Sequence, residues 1–174
     1  MLETARLLLQ PFVAEDLATL CKLRSDPEVA RFIGGEEYTR PEKIAKRFGY
    51  YLAHQEQYGF SVSRVVLRET GEIIGWGGLI HLDGTEQIEV GYGFDKPFWG
   101  QGYATEVALA WVSYGFNVLG LERIVAVAVP ENRASRHVME KLGMRYEKDT
   151  RHYDFTCVLY AMTKDEFLRL HPLA

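Results

Sequence analysis

A run with β-type alternation, Gln87 to Asp95, ends in Phe98-Trp99-Gly100-Gln101-Gly102-Tyr103-Ala104-Thr105, and helical periodicity then holds from Glu106 to Val118. A second apolar, β-branched run follows at Val125 to Val129. A strand, a crossover helix and a strand in this order close right-handed and favour a parallel pair in one sheet. The turn inside the unit is also chemically loaded. Gly100, Gly102 and Ala104 let the backbone approach a ligand closely. The first N–H groups of the helix lack intrahelical partners and carry the positive end of its dipole. Together they form a candidate diphosphate cradle; the structural alternative is a plain tight turn.

The rest of the chain tells how that unit is embedded. Ala5 to Phe12 reads as a strand, and Ala14 to Arg24 as a helix with Leu17, Leu20, Cys21 and Arg24 along one side. A helix follows from Glu42 to about Gln57. Phe60–Leu67 and Ile73–Ile80 then form a hairpin about Glu69–Glu72, and Asp83-Gly84 turns into the cradle strand. On that strand Ile88, Val90, Tyr92 and Phe94 share one face, and Glu89, Gly91 and Gly93 the other. Two glycines on one face predict a bulge or a close approach by backbone or ligand. Asn132 caps a helix to about Leu142, which Gly143 stops. Met144–Lys148 and Asp154–Met162 close a hairpin, with His152 in its turn, and Thr163 opens a last helix. Adjacent hairpins demand antiparallel pairing. The expected fold is therefore one α/β domain over residues 1–174, a mixed sheet with helices on both faces.

Charge and composition narrow the partners. A net charge of −4 without a basic tract argues against nucleic acid. No apolar run approaches the ~18–20 residues of a membrane span. Met1 to Arg6 lacks the order of a signal peptide, so a cytoplasmic location is expected. Cys21 and Cys157 read as buried free thiols, the five histidines are scattered, and no metal is expected. A dinucleotide site fits poorly. Thr105 stands where its third small residue belongs, Gln101 and Tyr103 crowd the turn, and Glu122 precedes the next strand instead of closing it.

Several segments stand in an order that is similar to a known family. They are Thr4 to Leu9, Ser25-Asp26-Pro27-Glu28-Val29, Gly71 to Gly75, Glu89-Val90-Gly91-Tyr92, Trp99 to Glu106, and Pro130-Glu131-Asn132 through Gly143. Over nearly its whole length the chain resembles the GNAT superfamily of acetyl-CoA-dependent N-acetyltransferases. The likeness is closest to the Rim-type branch, named for acetylation of ribosomal-protein N-termini. The resemblance implies a mostly antiparallel sheet whose central parallel pair is splayed for CoA. The family's pyrophosphate signature opens on Arg or Gln, where this chain has Trp99, and ends on Gly102 and Ala104. By resemblance, Trp99, Gly100, Gln101, Gly102, Tyr103, Ala104 and Thr105 form the loop that holds the CoA diphosphate. Pantetheine would run along Tyr92, Phe94 and Asp95 and meet Asn132, with Ser135 near the thioester sulfur. A bulge at Gly91 or Gly93 would open the gap this needs. Met139 stands where the family often has a Tyr acid; Ser135 is the favoured replacement, ahead of Tyr103 and Tyr153.

Glu89 is the candidate base, since an acid inside an apolar strand needs a role or a partner; the alternative is a carboxylate paired with Arg or Lys. The reaction implied is attack of a neutral amine on the thioester. Neutralising an α-amine at pH 7 costs roughly 1 kcal/mol, a lysine ε-amine about 4.6. The expected acceptor is a protein or peptide N-terminal α-amine. The alternatives are a small-molecule amine (amino acid, polyamine or antibiotic) and a non-catalytic CoA-binding regulator. By analogy with the family the acceptor pocket draws on Phe32, Glu36, Glu37, Tyr38, Arg151, His152 and Tyr153, with Phe32, Tyr38 and Tyr153 foremost. A homodimer is compatible with this reading.

Overall fold

Four hairpins and one parallel crossover stand in the sheet. A computed structural model of the chain describes residues 1–172, apart from the side chain of Glu36. Its strands are β1 (Leu2–Glu3), β2 (Leu7–Pro11), β3 (Val62–Leu67), β4 (Ile73–His81), β5 (Ile88–Phe94), β6 (Arg123–Ala128), β7 (Arg145–His152) and β8 (Phe155–Thr163). They form one sheet in the order β1-β2-β3-β4-β5-β6-β8-β7, antiparallel except for β5 and β6. The helices are α1 (Leu17–Arg24), α2 (Pro27–Ala30), α3 (Pro41–Tyr58), α4 (Tyr103–Asn117), α5 (Arg133–Lys141) and α6 (Lys164–Leu170). Among the described residues, no helix is long and apolar enough to cross a membrane.

Helices cover both faces, as the mixed pattern requires. Leu20 and Leu23 of α1 and Ile44, Phe48 and Tyr51 of α3 pack on Phe12, Trp76 and Ile80. On the other face Val107, Trp111 and Phe116 of α4, Met139 of α5 and Phe167 of α6 pack on Ile74, Val90 and Ile124. Local signals set the ends. The Asn132 carboxamide accepts from the Ser135 N–H at 3.0 Å at the start of α5, and Thr163 and Glu166 form a capping box on α6.

Three expectations need correction. First, α4 begins at Tyr103, three residues before its apolar periodicity, because Gly102 (φ 81°) turns the chain straight into the helix. Tyr103, Ala104 and Thr105 are therefore its first turn. Second, the closing hairpin is longer, β7 reaching His152, and its turn is Tyr153–Asp154. Both turn residues have positive φ, 52° and 64°, the geometry of a two-residue type I′ turn. Third, β5 carries no bulge: its register with β4 runs unbroken from Gly75↔Phe94 to His81↔Ile88. The gap opens because β6 leaves β5 after a single pair, Glu89↔Val125, while staying paired with β8 from Arg123 to Ala128. Gly93 answers a different need. A Cβ there would lie 2.2 Å from the Trp76 ring, so the glycine makes room for an indole. Both cysteines are free; Cys157 is buried and Cys21 half-buried.

Candidate active site

The cradle is shaped as the sequence suggests, and is fastened by a residue it did not single out for this role. Gly100 and Gly102 both adopt positive φ (73° and 81°), and no side chain caps α4. Its first N–H groups are thus left for an anion. Trp99 carries no charge to this loop; its indole N–H donates to the Phe94 carbonyl at 2.8 Å. The cation comes from Arg6, just before β2. Its Nη1 donates to the Gln101 carbonyl at 2.9 Å, and its guanidinium lies 4.3 Å from the Tyr103 ring centroid. The same group holds Glu106 with Nε and Nη2, both at 2.7 Å, and Thr4 donates to Glu106 at 2.6 Å. Burial would raise the Glu106 carboxyl, but Thr4 and Arg6 outweigh it and hold it below its ordinary value. Arg6→Ala would loosen the loop and leave a carboxylate unbalanced one turn from the cradle. The CoA Kd should rise about tenfold, roughly 1.4 kcal/mol, by calorimetric titration.

From the cradle side, the Tyr92 phenol reaches from β5 to the first turn of α5. Its oxygen lies 3.1 Å from Ser135 Oγ and 3.3 Å from the Ser135 carbonyl. Burial pushes this phenol up to about 12, against the hydrogen bond from Ser135. Met139 is buried beneath it and brings no hydroxyl. At the end of β5 the Asp95 N–H donates to the Ile74 carbonyl, so this group and the Phe94 carbonyl are engaged within the protein.

A cleft of about 770 Å³ runs from Asn132 and Ser135 past Glu89 to Phe32 and Tyr38. Glu89, 6% exposed, sits on its floor at the one position where β5 pairs with β6. The Tyr153 hydroxyl donates to it, and Arg47 Nη2 stands 3.9 Å away. Burial pushes the Glu89 carboxyl up to about 7. Tyr153 and Arg47 favour its ionised form, and Asp83 opposes it. Burial and Glu89 together raise the Tyr153 phenol, which keeps its proton and acts as donor. The strained turn that carries Tyr153 is tied down: its N–H donates to Asp83 at 2.6 Å and its carbonyl accepts from Tyr38 at 3.2 Å. Phe32 lies 6.4 Å from Trp99, ring to ring, at the other end.

The helix wall of the cleft adds residues that sequence reasoning missed. Arg47 Nε and Arg24 Nη2 both donate to the Tyr51 oxygen, at 3.3 and 2.9 Å. Burial alone would raise that phenol, yet the two guanidinium groups hold it below its ordinary value. His54 and His81, on α3 and β4, also pair. His54 Nδ1 contacts the Phe60 carbonyl at 2.7 Å, so it bears the proton, and Nε2 accepts from His81 Nδ1 at 2.8 Å. Burial keeps His54 neutral by lowering its pKa. The signal for Arg24 is its place on the apolar side of α1; Arg47 gives none.

The site thus joins a parallel pair splayed beside an uncapped helix start to a buried acid at the splay. The chain matches the Acetyltransferase (GNAT) domain over residues 6–145, and it belongs to that family as an N-acetyltransferase. It is 34% identical over 155 residues to the uncharacterised N-acetyltransferase YoaA of Bacillus subtilis, covering 88% of this chain and 87% of that protein. It is 32% identical over 186 residues to FsC-acetyl coenzyme A-N(2)-transacetylase of Aspergillus fumigatus, covering 97% and 78%. An acetyltransferase structure from Agrobacterium tumefaciens superposes with a TM-score of 0.82 at 29% identity, covering 92% of each chain.

Proposed function

We propose that the protein acetylates an amine of α-amino basicity, with Glu89 taking the proton and acetyl-CoA lying in the gap between β5 and β6. The observation that carries this reading is Glu89 itself, buried at the splay with its pKa raised to about 7. A base near 7 takes a proton from an α-amine of pKa 7.7–8.0 at a cost of about 1 kcal/mol, whereas a lysine ε-amine would require about 4.6. Acetyl-CoA supplies an activated acyl group on a thiolate leaving group. The N–H groups from Gln101 to Thr105, between Gly100 and the first turn of α4, hold its diphosphate. Tyr92, Asn132 and Ser135 line the pantetheine end. The Tyr92–Ser135 hydroxyl pair stands where the departing sulfur needs a proton, in the role the family often gives to a tyrosine at Met139. Tyr38, Phe32 and Tyr153 wall the acceptor end.

Amine-dependent thiol release from acetyl-CoA, followed against pH, tests the assignment. The rate should climb through an inflection near pH 7 as Glu89 ionises. Tyr153→Phe removes a donor that favours the carboxylate, so the inflection should move about one pH unit upward. A profile that Tyr153→Phe leaves in place would remove Glu89 as the base.

A further inference from the structure

We propose that the acceptor amine also carries an anionic group, which Arg24 receives at the inner wall of the cleft. This rests on the acetyltransferase reading of that cleft. Arg24 is 7% exposed and lines the cleft from α1. Its guanidinium lies 4.7 Å from the Trp76 ring centroid and donates to the Tyr51 hydroxyl. Its Nε–H is buried without a hydrogen-bond partner, and among the described residues no carboxylate pairs with it. A buried cation without an anion is costly, and a structure keeps one where something else supplies the counter-charge.

Among the described residues nothing nearby supplies it. Arg47 converges on the same phenol oxygen and so adds a second positive charge. The one buried acid of the group, Glu89, is already held by Tyr153 and Arg47. The buried guanidinium of Arg24 and the partly exposed one of Arg47 therefore share one carboxylate, and the unpaired charge falls on Arg24. The rim repeats this separation. Lys46 lines the cleft from α3, on the side of Arg47, and Lys43 beside it pairs with Glu37 at 3.8 Å, whereas Asp83 and Asp154 flank Tyr153 near Glu89.

The arrangement fits a short zwitterion, amine toward Glu89 and anion toward Arg24. The spacing is short: the Arg47 guanidinium alone bridges from Tyr51, where Arg24 is bound, to Glu89. A polyamine offers Arg24 nothing. A peptide N-terminus has its nearest carboxyl consumed in an amide. The anion itself is carboxylate or phosphonate, both of which a guanidinium fork accepts.

Matched acceptors decide the question. Initial rates are measured with acetyl-CoA and a free α-amino acid, its α-carboxamide, an α-aminoalkylphosphonate, a short peptide and spermidine. The adjacent anion raises its amine above the 7.7–8.0 of a chain terminus; per neutral amine, the anionic acceptors should exceed the carboxamide by about 10- to 100-fold in kcat/KM, the scale of a charge-assisted hydrogen bond. The better of the two identifies the anion. Arg24→Gln should bring the acid-to-carboxamide ratio close to one, and Arg24→Lys, which keeps the charge, should retain most of it. A carboxamide, peptide or spermidine turned over as well as the acids overturns the proposal and leaves acetyl transfer intact. So does an acid preference that survives Arg24→Gln. Transfer to no amine at all, with CoA still bound, overturns the acetyltransferase reading and this proposal with it.

Discussion

Glu89→Gln should lower kcat/KM about a hundredfold at pH 7, the lower end of what a positioned general base contributes. The loss should shrink toward pH 9, where an α-amine is already neutral and needs little help. Steady-state rates from pH 6 to 9 check both points, and an equal loss at every pH would sink the assignment. The same variant carries a stability signature of opposite sense. Folding raises this carboxyl from 4.5 to about 7. Its contribution to stability is therefore fully present below about pH 4.5 and is lost as pH rises through 7. The loss is on the order of 3 kcal/mol for a fully buried group. Glutamine has no charge to bury, so the variant should gain on the wild type in denaturant melts at pH 8 relative to pH 5. A group that impairs stability while serving the reaction is what an active-site base looks like thermodynamically.

Gly93→Ala should destabilise the domain by about 1–3 kcal/mol, whereas Gly91→Ala, two residues away on the same face, should leave stability nearly unchanged. The difference is steric. A Cβ at 93 falls 2.2 Å from Trp76 Cζ2 and 2.6 Å from Cε2, atoms of a rigid ring that is 4% exposed; at 91 it meets nothing within 4 Å. At this chain length each kcal/mol corresponds to about 2–4 °C in Tm. The displaced indole is also the platform beneath Arg24, so Gly93→Ala should impair acceptor binding more than CoA binding. Comparable melts for the two variants would show that Trp76 is not fixed by this contact.

How much of this was legible in the sequence follows from the range of each interaction. The strand–helix–strand order from Gln87 to Val129 rests on local periodicity and the Asn132 cap on a hydrogen bond three residues along, and both appear in place. The α4 start precedes its apolar periodicity because Tyr103-Ala104-Thr105 has no apolar spacing of its own; Gly102 alone sets it. The glycine face of β5 was noticed, but its cause at 93 is an indole from the neighbouring strand, which periodicity does not reveal. Glu89 stood out as an acid among apolar residues. Arg47 did not, because on α3 it resembles any solvated basic residue; its partners Glu89 and Tyr153 arrive from two distant segments. Arg6 was visible as part of a motif, without any sign that it braces a loop almost a hundred residues on.

The sheet is in effect two leaves hinged at Glu89–Val125, with β1 to β5 on one side and β6 to β8 on the other. Among the contacts that stitch their open edge are Tyr92 to Ser135 and Tyr153 to Glu89. The Tyr153 contact that ties the two leaves together is thus also one of the two that favour ionised Glu89.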